Sequence, residues 1–448
     1  MDRSADPRLR PGRRLVRLAR LVMVILQLSL LPASLAAQEG GGGGVALVGV
    51  NVLSMQGSEA LLDRTVIVRG GRIEAVAPRG APIPDGTAEI DLTGRWLIPG
   101  LVDMHVHIFS RDELPLYLDA GVTSVRNMWG WDLHLELRSE VETGSLLGPR
   151  IHTSGRLLDG DPPMLRGSAG LATAQEARAE VARQGRAGFD GIKVYDGLPA
   201  VALGAVGLAA RQAGLPIWGH PPAAVGVDGF LAAGASTWEH MRGLPGEAGS
   251  DSGWSGSLDP SLLAALALRV REAGTAVVPT LAVHGAAELS AAEKEALLES
   301  PLMARVPEPL RSFCCPADPD AADDAPAAVR ETRSANRRRA VAALRGAGVR
   351  ILVGTDTGNP WVLPGASLHE ELKLLVAAGL TVEEVLAAAT REAALELEVG
   401  GDVGTISEGF RADLLVLEGD PRTALHVLAS PLGVMVGGRW HRSPPPSG

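Results

Sequence analysis

At 448 residues and a formal net charge of −10, the chain is long enough to bury a large core, and 55 Gly with 31 Pro require many turns between short elements. Aromatic residues make up only 3%, so the core falls to Ala, Val, Leu and Ile. An acidic chain of this composition carries no nucleic-acid signature, and one large domain with a small one is the expectation.

Residues 1–37 read as a signal peptide: arginines at 3, 8, 10, 13, 14, 17 and 20, the apolar run Leu21–Leu31, then Ala33-Ser34-Leu35-Ala36-Ala37. The apolar run is shorter than the roughly 20 residues of a membrane span, so no stable span is expected once the signal is cleaved. The expected location is periplasmic or extracellular. Without this arginine-rich stretch the chain is more acidic still. The only cysteines are the neighbours Cys314 and Cys315, where a bridge would be strained, so they read as free thiols.

Residues 38–44 form a Gly-rich linker. Val45–Ser54, Thr65–Pro78 and Ala88–Ile98 then read as strands, with Gly70-Gly71 at a hairpin turn. Similar strands return at Ala412–Leu417 and Gly433–Val436, so segments 45–98 and 402–441 are expected to build one small discontinuous β-domain, with 442–448 a disordered tail. Between them lie eight β-prone stretches: Leu101–Ile108, Thr123–Trp129, Arg150–Gly155, Gly191–Asp196, Pro216–Pro221, Thr237–Met241, Ala276–Leu281 and Ile351–Asp356. Helical periodicity is expected at Ala174–Arg186, Ala200–Ala213, Pro260–Ala273 and Val329–Ala347. Strands alternating with helices over 99–401 predict an α/β fold, a (β/α)8 TIM-type barrel, with an open doubly wound sheet as the other arrangement of the same pattern. Residues 282–328 read as an insertion, irregular at its start and acidic around Asp318–Asp324, and either a lid or substrate loop or a disordered insertion without a role. Ser367-Leu368-His369-Glu370 reads as a capping box opening a helix over Leu368–Ala378.

In such a barrel chemistry sits at the C-terminal strand ends. There the first strand carries His105 and His107, two apart and so on one side of it; the fourth carries Lys193, the fifth His220, the sixth His240 and the eighth Asp356. Imidazole and carboxylate groups converging from different strands are metal-ligand chemistry. Lys193 is one of three lysines (Lys193, Lys294, Lys373) among 42 basic residues. A neutral amine adds carbon dioxide to become a carbamate that can bridge metal ions, which a guanidinium cannot. An ion pair with Asp196 is the alternative role. Asp356 is the candidate general base; an aspartate capping its own turn is the other reading. Arg126 is a candidate for a substrate carboxylate or for packing at the barrel rim. Tyr195 and His284 are candidate substrate contacts, Trp129 and Trp131 line a pocket or cover the core, and His134, His426 and His441 read as surface positions.

The run Leu97-Ile98-Pro99-Gly100-Leu101-Val102-Asp103-Met104-His105-Val106-His107 resembles the opening signature of the metal-dependent amidohydrolase superfamily. Gly121–Arg126, Gly191–Val194, Trp238-Glu239-His240, Val278–Leu281, Gly354-Thr355-Asp356 and Gly404–Leu414 resemble its imidazolonepropionase-like and prolidase-like branch. The resemblance implies the barrel, a β-sandwich from both chain ends, and two zinc-type ions. His105, His107 and Asp356 would hold one ion, His220 and His240 the other, and carboxylated Lys193 would bridge them. It implies hydrolysis of carbon–nitrogen bonds in small amide or peptide-like substrates; homo-oligomerisation is left open. Two departures stand out. Peptidase-like members carry a tyrosine just after the fifth-strand histidine, where this chain has Pro221-Pro222-Ala223, and a Gly- and His-rich segment after the third strand is replaced by Leu157–Pro163. A Xaa-Pro dipeptidase is therefore an alternative reading. So is a mononuclear deaminase, which would not need Lys193 and carries a glutamate soon after the fifth-strand histidine. A non-catalytic binding protein on the same fold would be expected to have lost ligands, and none is lost.

Overall fold

The β-branched run of Val45–Val52 (β1) pairs antiparallel with Leu61–Arg69 (β2), which turns through Gly70-Gly71 into Arg72–Pro78 (β3). The computed structural model describes residues 44–244, 254–315, 325–443 and 445. Ala88–Asp91 (β4) and Trp96–Pro99 (β5) lie parallel to β1. The signal-peptide segment, linker residues 38–43, the acidic stretch 318–324 and residues 446–448 of the expected tail lie outside the described residues.

The first strand of the large domain follows directly as Leu101–Val106 (β6). It pairs parallel with Val122–Asn127 (β7), and β7 with Arg150–Thr153 (β8). A second sheet adds two short strands absent from the sequence reading, Leu158–Asp159 (β9) and Ala169–Gly170 (β10). It continues through Ile192–Val194 (β11), Ile217–Gly219 (β12), Ala235–Glu239 (β13) and Ala276–Val278 (β14), in the order β10-β9-β11-β12-β13-β14. Every pairing in it is parallel. Single parallel bridges, Ser154 to Gly191, Val277 to Ile351 and Val106 to Thr357, link these strands onward. The stretch Ile351–Asp356, expected as a full strand, makes only the bridge at Ile351 and bonds such as Met104 N–H to Val353 O (2.9 Å).

The helices between the strands follow from local signals. Thr173 and Glu176 form a reciprocal capping box for Ala174–Ala187, and Asp259 caps Pro260–Ala273. Ala200–Ala213 and Ala327–Gly346 complete the expected set. Leu203, Val206, Leu266, Val270 and Leu344 turn inward and join one large apolar cluster with the parallel strands.

Several expectations change. The strands of the two chain ends join through hydrogen bonds into one eight-stranded sheet. In it Leu414–Leu417 (β15) pairs with β5, Gly433–Val436 (β16) with β15, and Arg439–Arg442 (β17) with β16. Arg442, assigned to the tail from sequence, is the last residue of β17, where its guanidinium meets Asp119 at 3.1 Å. The segment expected as irregular forms helices at Leu281–Ala287, Ala291–Leu298 and Glu308–Cys314. Ser367 does not cap its helix. The helix begins at Ala366 after Gly365, and the Ser367 hydroxyl accepts Leu363 N–H instead (2.8 Å). No helix among the described residues is long and apolar enough to cross a membrane.

Candidate metal centre

Every residue of β6 is buried, and His105 projects from it with a fully enclosed ring. Its Nδ1 donates to Glu239 Oε2 (2.7 Å), which fixes the tautomer and turns Nε2 to within 3.3 Å of Asp356 Oδ1. His107, two residues on, brings its Nε2 to 3.0 Å from the same oxygen. Directly after β13 comes His240, its Nε2 3.8 Å from Asp356 Oδ2 and its Nδ1 2.6 Å from Thr280 Oγ1. His105, His240 and Asp356 offer ligand atoms that all lie within 4.8 Å of one another.

His220 stands beside this group, its ring centroid 4.9 Å from that of His240 and its Nδ1 donating to Asp196 Oδ1 (2.9 Å). It reaches that position because Gly219 adopts φ 138°. A side chain there would place its Cβ 2.1 Å from Val194 O, so only glycine lets β12 approach β11 this closely. Lys193, on β11, is 1% exposed and its Nζ has no hydrogen-bond partner. The alternative partner Asp196 is engaged by His220 and Arg242.

Electrostatics follow from burial. Desolvation lowers His105 and His220 to about 4 and His240 well below the usual range, so the imidazoles are neutral and keep a lone pair at Nε2. Burial opposes ionisation of Asp356, but the surrounding imidazoles outweigh it and hold the carboxyl well below its ordinary value. Desolvation lowers Lys193 to about 8, so a neutral fraction of the amine is present near neutral pH.

Buried nitrogen atoms without a hydrogen-bond partner converge here beside the Asp356 carboxylate: His105 Nε2, His220 Nε2 and Lys193 Nζ. Such orphans are costly unless something else pairs with them, and neutral imidazoles with a carboxylate are the donor set of a divalent metal ion. The backbone is strained at the same place. His240 (φ 61°), Thr280 (φ 48°) and Asp356 (φ 63°) are non-glycine residues in the left-handed region, which costs about 1–3 kcal/mol each and gathers at functional sites.

The other candidates divide. Tyr195 packs against the His220 ring at 4.7 Å, and the His284 ring lies 6.5 Å from that of His240. Arg126 does not face the site: it is fully buried, donates to Met104 O (2.7 Å) and Glu239 Oε1 (2.8 Å), and lies over the Trp218 ring. It anchors the glutamate that orients His105, a task no spacing rule reveals. His134 is also buried, not on the surface, with its Nε2 2.8 Å from Ile108 O, while His426 is exposed. His441 is partly buried, its Nε2 2.9 Å from Asp119 Oδ1, and His369 bonds Ala120 O (2.9 Å). Cys314 and Cys315 are buried and unbridged, with sulfurs 3.2 Å apart.

Sequence reasoning passed over Glu239, Thr280 and Asp103. Asp103 accepts from His105 N, Thr355 N and Thr355 Oγ1, tying β6 to the Asp356 loop. Its alternation with His105 and His107 was the available signal.

The profile of the amidohydrolase family matches residues 96–441, which include every one of these side chains. The chain belongs to that family. An imidazolonepropionase from Rhizobium rhizogenes is 27% identical over 393 residues, 81% of this chain and 88% of that protein. The crystal structure of a putative prolidase from Bifidobacterium longum aligns with a TM-score of 0.70 at 27% identity, over 91% of this chain and 96% of that one. Bottromycin amidohydrolase gives 0.72 at 28% identity, over 89% and 86%. This amidohydrolase is thus a hydrolase of carbon–nitrogen bonds in the imidazolonepropionase-like and prolidase-like branch. It has a TIM-barrel-type fold with a β-rich part, and the family is metal-dependent.

Proposed function

We propose that the chain is an exported amidohydrolase that cleaves an amide-like bond at a centre of two zinc-type ions. The observation carrying this is the convergence of unpartnered His105 Nε2, His220 Nε2 and Lys193 Nζ with the Asp356 carboxylate at one end of the parallel strands. His105, His107 and Asp356 would hold one ion and His220 and His240 the other. Lys193 would bridge them as a carbamate: its neutral amine adds carbon dioxide, forming a nitrogen–carbon bond and releasing one proton. The barrel is taken as eight-stranded and closed over 99–401, with segments 45–98 and 402–441 as a sandwich beside it. The three single bridges support the closure.

A divalent ion held by these residues would supply Lewis acidity for water and for the substrate carbonyl. Asp356 then takes the proton from the attacking water and returns it to the leaving nitrogen. Glu239, Asp196 and Thr280 keep three imidazoles aimed inward, with Arg126 holding Glu239 in turn.

A dipeptidase is the narrower reading, and one contact favours it. The Tyr195 ring packs against the fifth-strand His220 at 4.7 Å, and burial pushes its phenol up to about 12, so it stays a hydrogen-bond donor.

Metal analysis of the purified protein, with turnover of a panel of N-acyl amino acids, dipeptides and cyclic amides, tests the proposal. About two ions per chain are expected. One ion would favour a mononuclear deaminase, and none would overturn the hydrolytic centre.

A further inference from the structure

Past the end of β6 the chain runs through His107 to Phe109, and past the end of β7 it runs through Trp129 to Trp131. The whole chain has 8 Trp, 5 Phe and 2 Tyr, yet two of these rings flank His107 and a third packs on one of them. Phe109 lies nearly parallel to the His107 ring at 6.4 Å, and Trp129 meets it edge-on at 6.4 Å. Trp129 is in turn 6.5 Å from Phe109 at 84° and 5.0 Å from Trp131 at 42°.

This corner is held in place. The Asn127 side chain accepts Ile108 N–H (3.0 Å) and donates to Trp129 O (3.0 Å), tying the two strand extensions together. The buried His134 accepts Trp131 N–H (3.0 Å) and donates to Ile108 O (2.8 Å). The bare backbone of Gly358, just past Asp356, packs against Phe109: a Cβ there would come within 2.9 Å of the Phe109 ring. Phe109 is nonetheless 38% exposed, and both tryptophans are only half-buried. A rigid, partly exposed aromatic corner adjoining a reaction centre is built to receive a flat apolar group.

We propose that Phe109, Trp129 and Trp131 form a specificity wall selecting substrates with an aromatic or fused-ring group next to the scissile carbon–nitrogen bond. The proposal rests on the metal-centre reading for the position of that bond. Its test is binding, which does not require turnover, so failure of the wall and failure of the catalytic reading are separable. Ligand-observed NMR titrations of metal-loaded protein with 2-naphthamide and with acetamide are expected to give at least tenfold tighter binding of the naphthamide. Trp131→Ala and Phe109→Ala should each weaken naphthamide binding at least threefold, and Trp131→Phe should retain most of it. Equal affinity for the two amides, or no naphthamide binding, overturns the proposal. So does unchanged naphthamide affinity in a folded Trp131→Ala protein. Loss of metal or of turnover with the naphthamide preference intact would instead count against the catalytic reading alone.

Discussion

The two ends of the parallel strands treat charge in opposite ways. Where the strands begin, charged side chains find one another: Arg350 meets Glu396 at 2.7 Å and Arg150 meets Asp402 at 3.4 Å. Where they end, Lys193 Nζ and His220 Nε2 are buried without hydrogen-bond partners, and the backbone is strained at His240, Thr280 and Asp356. Ion pairs secure the fold at one end, while the other gathers ligand-type nitrogens beside strained backbone, as expected where stability and chemistry fall on opposite faces.

The sharpest way to break this contrast is Asp356→Asn, which keeps the shape but removes the proton acceptor. Turnover is expected to fall by about 10²–10⁴ while the protein stays folded, and unchanged turnover would remove Asp356 as the base. Lys193→Ala should lower metal content and activity together; full metal occupancy would end the bridging assignment. Arg126→Met leaves Glu239 a buried carboxylate without its guanidinium partner; Arg126 and His105 now hold it down to about 2 against burial. A loss of about 3–5 kcal/mol in denaturant unfolding is expected, far more than for a surface pair.

A smaller effect is pH-dependent. Burial raises the Glu113 carboxyl from 4.5 to about 7, so the folded chain binds its proton more tightly than the unfolded chain. Its contribution is most favourable below pH 4.5 and declines as pH rises to about 7. Glu113→Gln should flatten thermal stability over that window, and an unaltered profile would exclude the group. Smallest is Arg345→Ala, which breaks an exposed pair with Glu384 at 2.8 Å and should cost about 0–1 kcal/mol.

What the sequence made legible was local or periodic. The helices Ala174–Ala187 and Pro260–Ala273 announce themselves by their caps, and the ligand strands by a two-residue repeat that also aligns His105 with His107. The sequence hid what depends on distant packing. Arg126 gave a hint, since a cation inside the wholly buried strand Val122–Asn127 demands a partner, but Glu239 comes from a strand more than a hundred residues later. His134 looked like a helix-surface residue because its acceptor, Ile108 O, belongs to another element. Ser367 matched a capping pattern, but Gly365 at φ 72° turns the chain early and starts the helix before it.

The pairing of β5 with β15 has a consequence for how the chain is made. Trp96–Pro99 and Leu414–Leu417 are antiparallel neighbours, yet nearly the whole barrel is translated between them. The edge of β5 that receives β15 therefore waits, unpaired, while the ribosome finishes the rest, and an unpaired edge is open to strands of other molecules. Completion of synthesis is thus the moment at which the molecule becomes safe from its neighbours. A ribosome stalled before residue 412 would release a chain with this edge still open.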